Sequence, residues 1–180
     1  MSRRVAGITL TAIFTAVIAT LSVVSVPLPA GAISLALLGV YLAAYLLPMR
    51  CAVLSAAVYV LLGIIGLPVF AGFGSGVQAP LGPTGGYILS YPIVAAVITA
   101  VRRRTSGLPA YCFACVISLA ICYAMGTAWY CCVTATSFLP ALAVCVLPYI
   151  AGDAVKIAAA VFFAGVLNRA GVSRKIAEVL

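Results

Sequence analysis

Two charged side chains lie three residues apart inside an apolar segment near the end of this chain. Asp153 and Lys156 fall in the stretch LPYIAGDAVKIAAAVFFAGVL (147–167), and Glu178, the second of the two acidic residues, lies in a polar C-terminal tail. Residues at i and i+3 share one face of a helix, so the carboxylate and the ammonium can point the same way. An ionisable group within a membrane helix is costly and indicates a functional site. The pair therefore predicts recognition of a small polar ligand that offers both donors and acceptors.

A structural interpretation of the same pair stays open. Asp153 follows Gly152 near the predicted start of a helix. A carboxylate there can cap free backbone N–H groups and favour the helix dipole, and Lys156 would then neutralise it. The two roles are compatible.

A second candidate feature is the Gly/Pro-rich segment GLPVFAGFGSGVQAPLGPTGGY (66–87). It has no helical or strand period, and it is too apolar for an ordinary solvated loop, although a mobile external loop is the alternative. Non-helical backbone at membrane depth is tolerated where protein buries it or where it lines a cavity. Glycines permit close approach to a ligand, aromatic rings supply apolar walls, and polar side chains orient the ligand. We expect Gly76 and Gly85 to allow the close approach and Phe73 and Tyr87 to form the apolar walls. We expect Gln78 and Thr84 to orient the ligand by hydrogen bonds.

The elements that must position these residues are membrane helices. The chain of 180 residues is 66% hydrophobic and 7% charged, with a mean hydropathy of +1.32. Each membrane-spanning helix needs about 20 apolar residues. We expect an all-α integral membrane protein that forms a single transmembrane domain over 1–180, with six helices at about 5–26, 33–47, 51–65, 86–101, 109–131 and 148–167.

The basic residues predict the orientation of these helices. Apart from Lys156, they cluster in the N-terminal segment, at 50, at 102–104 and near the C-terminus, while 27–32, 66–85 and 132–147 contain no Lys or Arg. This distribution follows the positive-inside rule and predicts that both termini are cytoplasmic. The Gly-rich segment and Asp153 then lie on the external side. The net charge of +8 sets topology, and we expect no nucleic-acid partner.

Several classes of chemistry lack the residues they need. The chain has no histidine, and its seven cysteines include one CxxC pair, at 112–115, with Phe and Ala between. We therefore expect no metal site, no catalytic residue and no cofactor, and we interpret the cysteines as small packing residues. The alternative is a disulfide between Cys145 and Cys131 or Cys132, near a predicted external loop. Span one carries the small-xxx-small pair Ala12 and Ala16. That pair favours close helix packing, either within the chain or against a partner membrane protein.

The motifs together resemble the BioY family, the biotin-specific S components of energy-coupling factor (ECF) transporters. The most specific matches are GLPVFAGFGSG (66–76), LGPTGGY (81–87) and PYIAGDAVK (148–156), supported by AIFTAV (12–17), SVPLP (25–29) and LGVYLAAYLLP (38–48). The resemblance implies a six-helix S-component fold with an externally open pocket. It also implies a plasma-membrane protein of bacterial type that binds biotin and works with a transmembrane T component and two ATPase subunits.

The resemblance also implies roles for individual residues. Asp153 would accept a ureido N–H of biotin, and Lys156 would contact the ureido oxygen or stabilise Asp153. Gln78 would add a hydrogen bond, and Tyr87 and Phe73 would pack on the rings. Ala12 and Ala16 match the family's docking motif for the T component.

The chain departs from the family pattern at the start of span two, which reads Ser34-Leu35-Ala36 where many members have Thr-Leu-Gln. It offers no arginine near the outer pocket for the carboxylate of biotin. Two other functions stay open: an S component for another vitamin, and a proton-coupled secondary carrier that uses Asp153 as its titrating group. An integral-membrane enzyme lacks the residues it would need.

Overall fold

The computed structural model describes residues 2–28, 31–105 and 107–179. Within these ranges the chain is mainly helical, with one small β-hairpin and a 3₁₀ turn at Ala71–Phe73. The helices and strands, in chain order, are α1 Arg3–Val23, β1 Ser25–Leu28, β2 Gly31–Ser34, α2 Ala36–Leu46, α3 Met49–Ile64, α4 Gln78–Leu81, α5 Gly85–Arg104, α6 Leu108–Thr134, α7 Phe138–Cys145, α8 Leu147–Arg169 and α9 Val172–Val179.

Four of the described helices are long and apolar enough to cross a membrane: α1, α5, α6 and α8. The helices α2 and α3 are also apolar but shorter, with 11 and 16 residues. Each of the six predicted spans therefore corresponds to an apolar helix, and two of these helices are too short to cross a membrane on length alone.

The short helix α2 lies at the centre of the molecule. Nine of its residues are buried, and it packs against α1, α3, α5 and α8. This position explains why α2 is apolar on every side, because a helix surrounded by other helices has no polar face. Tyr41 is fully buried on α2, and its carbonyl oxygen accepts a hydrogen bond of 2.9 Å from the Tyr111 hydroxyl on α6.

The main difference from the predicted architecture is the hairpin between α1 and α2. Residues 25–28 pair antiparallel with 31–34, so that Ser25 faces Ser34 and Val26 faces Ile33. The predicted ends of span one, at about residue 26, and of span two, at about residue 33, fall in these strands, because α1 ends at Val23 and α2 begins at Ala36. The all-α class is wrong for this segment. Pro27 carries no amide hydrogen and Val26 is β-branched, so the chain favours an extended conformation here. The predicted turn at 25–29 and external segment at 27–32 include Pro29 and Ala30, which lie outside the described residues.

The Gly-rich segment between α3 and α5 folds into short turns. The Gly72 N–H donates a hydrogen bond of 2.9 Å to the Ser25 hydroxyl, which joins the 3₁₀ turn to the hairpin. Gly72 has a φ of 63°, a conformation that glycine adopts without strain. Together, these contacts place the hairpin and the Gly-rich segment side by side.

Close helix packing between α5 and α6 depends on small residues. A Cβ atom added to Gly86 would lie 2.4 Å from the Cβ of Trp129 and 2.7 Å from the carbonyl oxygen of Met125. A Cβ atom on Gly126 would lie 2.3 Å from the Tyr87 ring. Small residues of this kind allow membrane helices to approach closely, and here they fix the position of Tyr87.

The polar C-terminal tail forms the helix α9. Its exposed Arg174 and Glu178 make an ion pair of 3.0 Å. An exposed pair of this type contributes little to stability.

Arg102, near the end of α5, holds the C-terminal end of α2. Its Nη1 donates a hydrogen bond of 3.1 Å to the carbonyl oxygen of Ala44, and it also contacts the carbonyl oxygen of Tyr45. The guanidinium carbon lies 4.2 Å from the centre of the Tyr45 ring. Arg102 therefore satisfies helix-end carbonyls and adds a cation–π contact.

Replacing Arg102 with alanine should lower the stability of the folded protein by about 2 kcal/mol, because two helix-end carbonyls lose a charged donor. Thermal unfolding in detergent measures the effect. Arg103→Ala is the matched control, since the neighbouring Arg103 is exposed. Equal midpoints for the two variants would contradict the capping role of Arg102.

Candidate functional site

A cavity of about 120 Å³ is lined by parts of the hairpin, the Gly-rich segment and the helices α1, α2, α3, α5, α6, α7 and α8. Its lining is rich in tyrosine, and the five that contribute are Tyr59, Tyr87, Tyr91, Tyr123 and Tyr149. Tyrosine combines a large apolar ring with a hydroxyl that donates or accepts a hydrogen bond. Such a wall suits a ligand that is partly apolar and carries a few polar atoms.

The ion pair Asp153–Lys156 contributes to this cavity from α8. The residues Asp153 and Lys156 are 4% and 6% exposed, and Lys156 Nζ donates a hydrogen bond of 2.7 Å to Asp153 Oδ1. The Tyr123 hydroxyl on α6 donates a hydrogen bond of 2.5 Å to Asp153 Oδ2. Each carboxylate oxygen therefore has a donor, and the buried charge is matched by an opposite one.

The position of Asp153 in α8 excludes the capping alternative. The helix begins at Leu147 with Val146 as its cap, and no acidic residue lies in its first turn. Asp153 is a full turn further along, where backbone N–H groups are already bonded within the helix. Its partners are the side chains of Lys156 and Tyr123, so the burial of its charge serves the cavity wall rather than the helix end.

The apolar walls of the cavity are held in place by contacts among aromatic rings. The Tyr59 ring packs against Tyr91 with centroids 6.1 Å apart and against Phe70, edge to face, with centroids 5.6 Å apart. The Tyr87 hydroxyl donates a hydrogen bond of 3.1 Å to the carbonyl oxygen of Cys145. These contacts fix the rings before any ligand arrives, which reduces the ordering that binding requires.

Two cysteines also contribute to the lining, Cys122 and Cys145. Burial raises the pKa of the Cys145 thiol, so this side chain is a neutral thiol at physiological pH. All seven cysteines lie in described segments and are free, and three of them, Cys115, Cys122 and Cys145, are buried as packing residues are.

Four of the residues predicted from the sequence line the cavity together: Asp153, Lys156, Tyr87 and Thr84. The other four lie outside the lining, and their roles as ligand contacts stay predictions. Gln78 is exposed and Phe73 is 68% exposed.

The two predicted glycines outside the lining have clear structural roles. The Gly76 N–H donates a hydrogen bond of 2.7 Å to the carbonyl oxygen of Gly63, and its φ is 84°. A Cβ atom on Gly85 would lie 1.7 Å from the carbonyl oxygen of Pro80. Gly76 therefore permits a turn, and Gly85 permits a close backbone contact.

Sequence reasoning missed several residues of the cavity wall, mainly Tyr91, Tyr123, Tyr59, Ser22 and Ser34. One signal was available, because Tyr87 and Tyr91 are four residues apart and share a face of α5. The contact between Tyr123 and Asp153 joins residues 30 apart in sequence, and no local sequence pattern predicts it.

Within the described ranges, no three His, Cys, Asp or Glu side chains come together to hold a metal ion. The arrangement offers an acceptor at Asp153, a cationic donor at Lys156 and several neutral hydroxyls. These groups can bind a polar ligand by hydrogen bonds.

Comparison with known proteins gives consistent results. The model of the BioY family matches residues 1–172. The chain is 40% identical over 114 residues to the "Biotin transporter BioY" of Thermotoga maritima, covering 63% of this chain and 68% of that protein. It is 34% identical over 157 residues to the "Probable biotin transporter BioY" of Pyrococcus horikoshii, covering 87% of this chain and 93% of that protein.

The fold is similar to a solved structure. The crystal structure of the S component for biotin from an ECF-type ABC transporter superimposes with a TM-score of 0.84 over 92% of both chains, at 24% sequence identity. The molecule therefore has the S-component fold.

The ion pair makes a prediction about stability. Lys156→Met should destabilise the protein by about 3–5 kcal/mol, because it leaves the Asp153 carboxylate buried with an apolar neighbour. Adding Asp153→Asn to that variant should recover part of the loss, since the unpaired charge disappears. Unfolding of the single and double variants in detergent, compared with wild type, measures the recovery. A double variant less stable than Lys156→Met alone would show that the two side chains act independently.

Proposed function

This chain belongs to the BioY family, and on that premise we propose that it takes up biotin as the S component of an ECF transporter. The observation that carries the proposal is the buried Asp153–Lys156 pair in the wall of a tyrosine-rich cavity. Both relatives described above carry biotin transport in their names. The protein is a multi-pass protein of the cell membrane and a transporter component rather than an enzyme.

We infer a membrane arrangement with six spans. The four long helices α1, α5, α6 and α8 cross the bilayer, and the shorter α2 and α3 cross it as helices partly enclosed by their neighbours. Both termini are then cytoplasmic, because the basic clusters at 3–4, 50, 102–104 and 169–175 share one side. This orientation places the hairpin, the Gly-rich segment and Asp153 toward the external face, where biotin is captured.

The polar groups of the cavity suit the ureido head of biotin. That head carries two N–H donors and one carbonyl acceptor. Asp153 accepts an N–H, since a carboxylate has acceptor sites beyond the two used by Lys156 and Tyr123. Lys156 has further N–H donors for the carbonyl oxygen. The thiophane ring then packs between tyrosine rings such as Tyr87 and Tyr91.

Partner subunits provide the energy for transport, and the exposed face of α1 is the docking surface for one of them. Ala12 and Ala16 are both exposed, and the same face exposes apolar side chains, with Ile8 at 70% and Ile13 at 50% exposure. Small residues on an apolar face let a partner helix approach closely. A T component docks there, and two ATPase subunits provide the energy for inward release.

Calorimetry on the purified, detergent-solubilised protein tests the substrate. Biotin should bind tightly at one molecule per chain, and thiamine and riboflavin should give no heat. Binding of thiamine or riboflavin in place of biotin would assign the chain to another vitamin. Uptake in vesicles that collapses with a proton ionophore, without partner ATPases, would instead support a secondary carrier.

Asp153→Asn should weaken biotin binding by at least about a hundredfold, because it removes the charged acceptor and leaves Lys156 unpaired. Calorimetry measures the dissociation constant, and size-exclusion chromatography checks that the variant is folded. Glu178→Gln is the matched control, since it neutralises the other acidic residue at an exposed site. Unchanged biotin affinity in Asp153→Asn would remove the ureido contact from the proposal.

Ala12→Trp and Ala16→Trp should leave biotin affinity within about twofold of wild type but abolish co-purification with the T component, because each bulky ring blocks close helix approach. Ala120→Trp is the control, since it places the same ring on an exposed position of α6. Assembly that survives both α1 substitutions would move the docking face elsewhere.

A further inference from the structure

The charged side chains that line the cavity form one ion pair, and their opposite charges cancel. Of its lining residues, only Asp153 and Lys156 carry charge, and their side chains bond to each other at 2.7 Å. Biotin ends in a carboxylate at the tip of its valerate tail. Among the described residues, no arginine or second lysine lines the cavity to pair with it.

Hydroxyl groups line a different part of the cavity, contributed by α1, β2 and α3 rather than by α6 and α8. The Ser22 and Tyr59 hydroxyls lie 2.6 Å apart in a hydrogen bond, and both residues line the cavity. Ser34 is 9% exposed. We call Ser22, Ser34 and Tyr59 the hydroxyl cluster.

One hydroxyl hydrogen of the cluster is not used in hydrogen bonds between its members. The Ser34 oxygen accepts the N–H of Ala36 at 3.3 Å, and its hydroxyl lies beside the Tyr91 hydroxyl, which can accept its hydrogen. The Ser22–Tyr59 bond uses one of two hydroxyl hydrogens, so the other is available to a ligand. The cluster therefore offers a donor at the cavity wall, and its oxygens keep acceptor capacity.

We propose that the hydroxyl cluster binds the end of the valerate tail and recognises it as a neutral hydrogen-bonding group. This inference rests on the proposed function, because it assigns the second end of the same biotin molecule. The protein then takes, as substrates, biotin and derivatives in which a neutral amide replaces the carboxylate. The charged pair on α8 selects the ureido head, and the hydroxyl cluster accepts either tail.

The chemistry of hydroxyls explains this tolerance. A guanidinium only donates hydrogen bonds and carries a full positive charge, so it favours a carboxylate over an amide. A hydroxyl both donates and accepts, so it can serve a carboxylate oxygen, an amide carbonyl or an amide N–H. A neutral tail also avoids the cost of burying a charge that has no opposite partner.

Calorimetry with biotin and biotinamide tests the inference on the wild-type protein. The dissociation constant of biotinamide should be within about tenfold of that of biotin, a difference of about 1.4 kcal/mol or less. Biotin binding combined with a loss of more than about a hundredfold for biotinamide would overturn the neutral subsite and leave the proposed function intact. Failure of both ligands to bind to folded protein would overturn the two proposals together.

A second measurement assigns the tail to the hydroxyl cluster. The probe is an analogue of biotin in which a methyl group replaces the carboxyl group. Tyr59→Phe should weaken binding of biotin and of biotinamide by about tenfold, which is the loss expected for one hydrogen bond. It should leave the affinity for the methyl analogue unchanged, because that analogue has no terminal oxygen for the Tyr59 hydroxyl. Asp153→Asn should weaken all three ligands alike.

Ser34→Ala repeats the test with a smaller change, and Ser118→Ala is the control because Ser118 is buried on α6 and outside the cavity lining. Binding stoichiometry close to one in each variant shows that the protein is folded. Equal losses for biotin and the methyl analogue in Tyr59→Phe and Ser34→Ala would overturn the assignment of the tail to this cluster.

Discussion

The pairing of one buried carboxylate with one buried ammonium is the interaction on which the rest of this molecule depends. A single ion of this size would cost of order 20 kcal/mol to transfer into an ideal apolar interior, so neither Asp153 nor Lys156 is stable there alone. The pair forms within α8, and the hydroxyl of Tyr123 ties it to α6. The remaining architecture keeps these two helices at the distance that the Tyr123–Asp153 hydrogen bond requires, with α7 connecting them.

The short helix α2 provides the other half of this support. It contacts α1, α3, α5 and α8, so it holds the helices that carry the cavity wall. A helix of 11 residues could not be stable alone in water, and its stability comes from burial on all sides and from Arg102 at its C-terminal end. The cavity is therefore built beside a rigid packed helix rather than between mobile loops alone.

The sequence predicts the parts of this structure that depend on local pattern. The lengths of the apolar segments predict the approximate positions of the six apolar helices that correspond to the predicted spans. The spacing of Asp153 and Lys156 predicts that their side chains meet. The pairing of 25–28 with 31–34 is not predicted, because these strands are stabilised by each other and by the Gly-rich segment, as the bond from Gly72 to Ser25 shows. The same limit applies to Tyr123. Its role depends on which helix lies opposite α8, and that is a property of the packed molecule.

The helix α1 contributes both to the cavity that binds the ligand and to the exposed face proposed for partner docking. Ser22, near its C-terminal end, lines the cavity, and Ala16 lies on the exposed face six residues earlier, about 9 Å along the axis at 1.5 Å per residue. An unbroken helix transmits a tilt at one of these points to the other. By thermodynamic linkage, if engagement of that face changes the affinity for the ligand by some factor, occupancy of the cavity changes the affinity of that face for its partner by the same factor. Capture and assembly would then be two measurements of one coupling free energy.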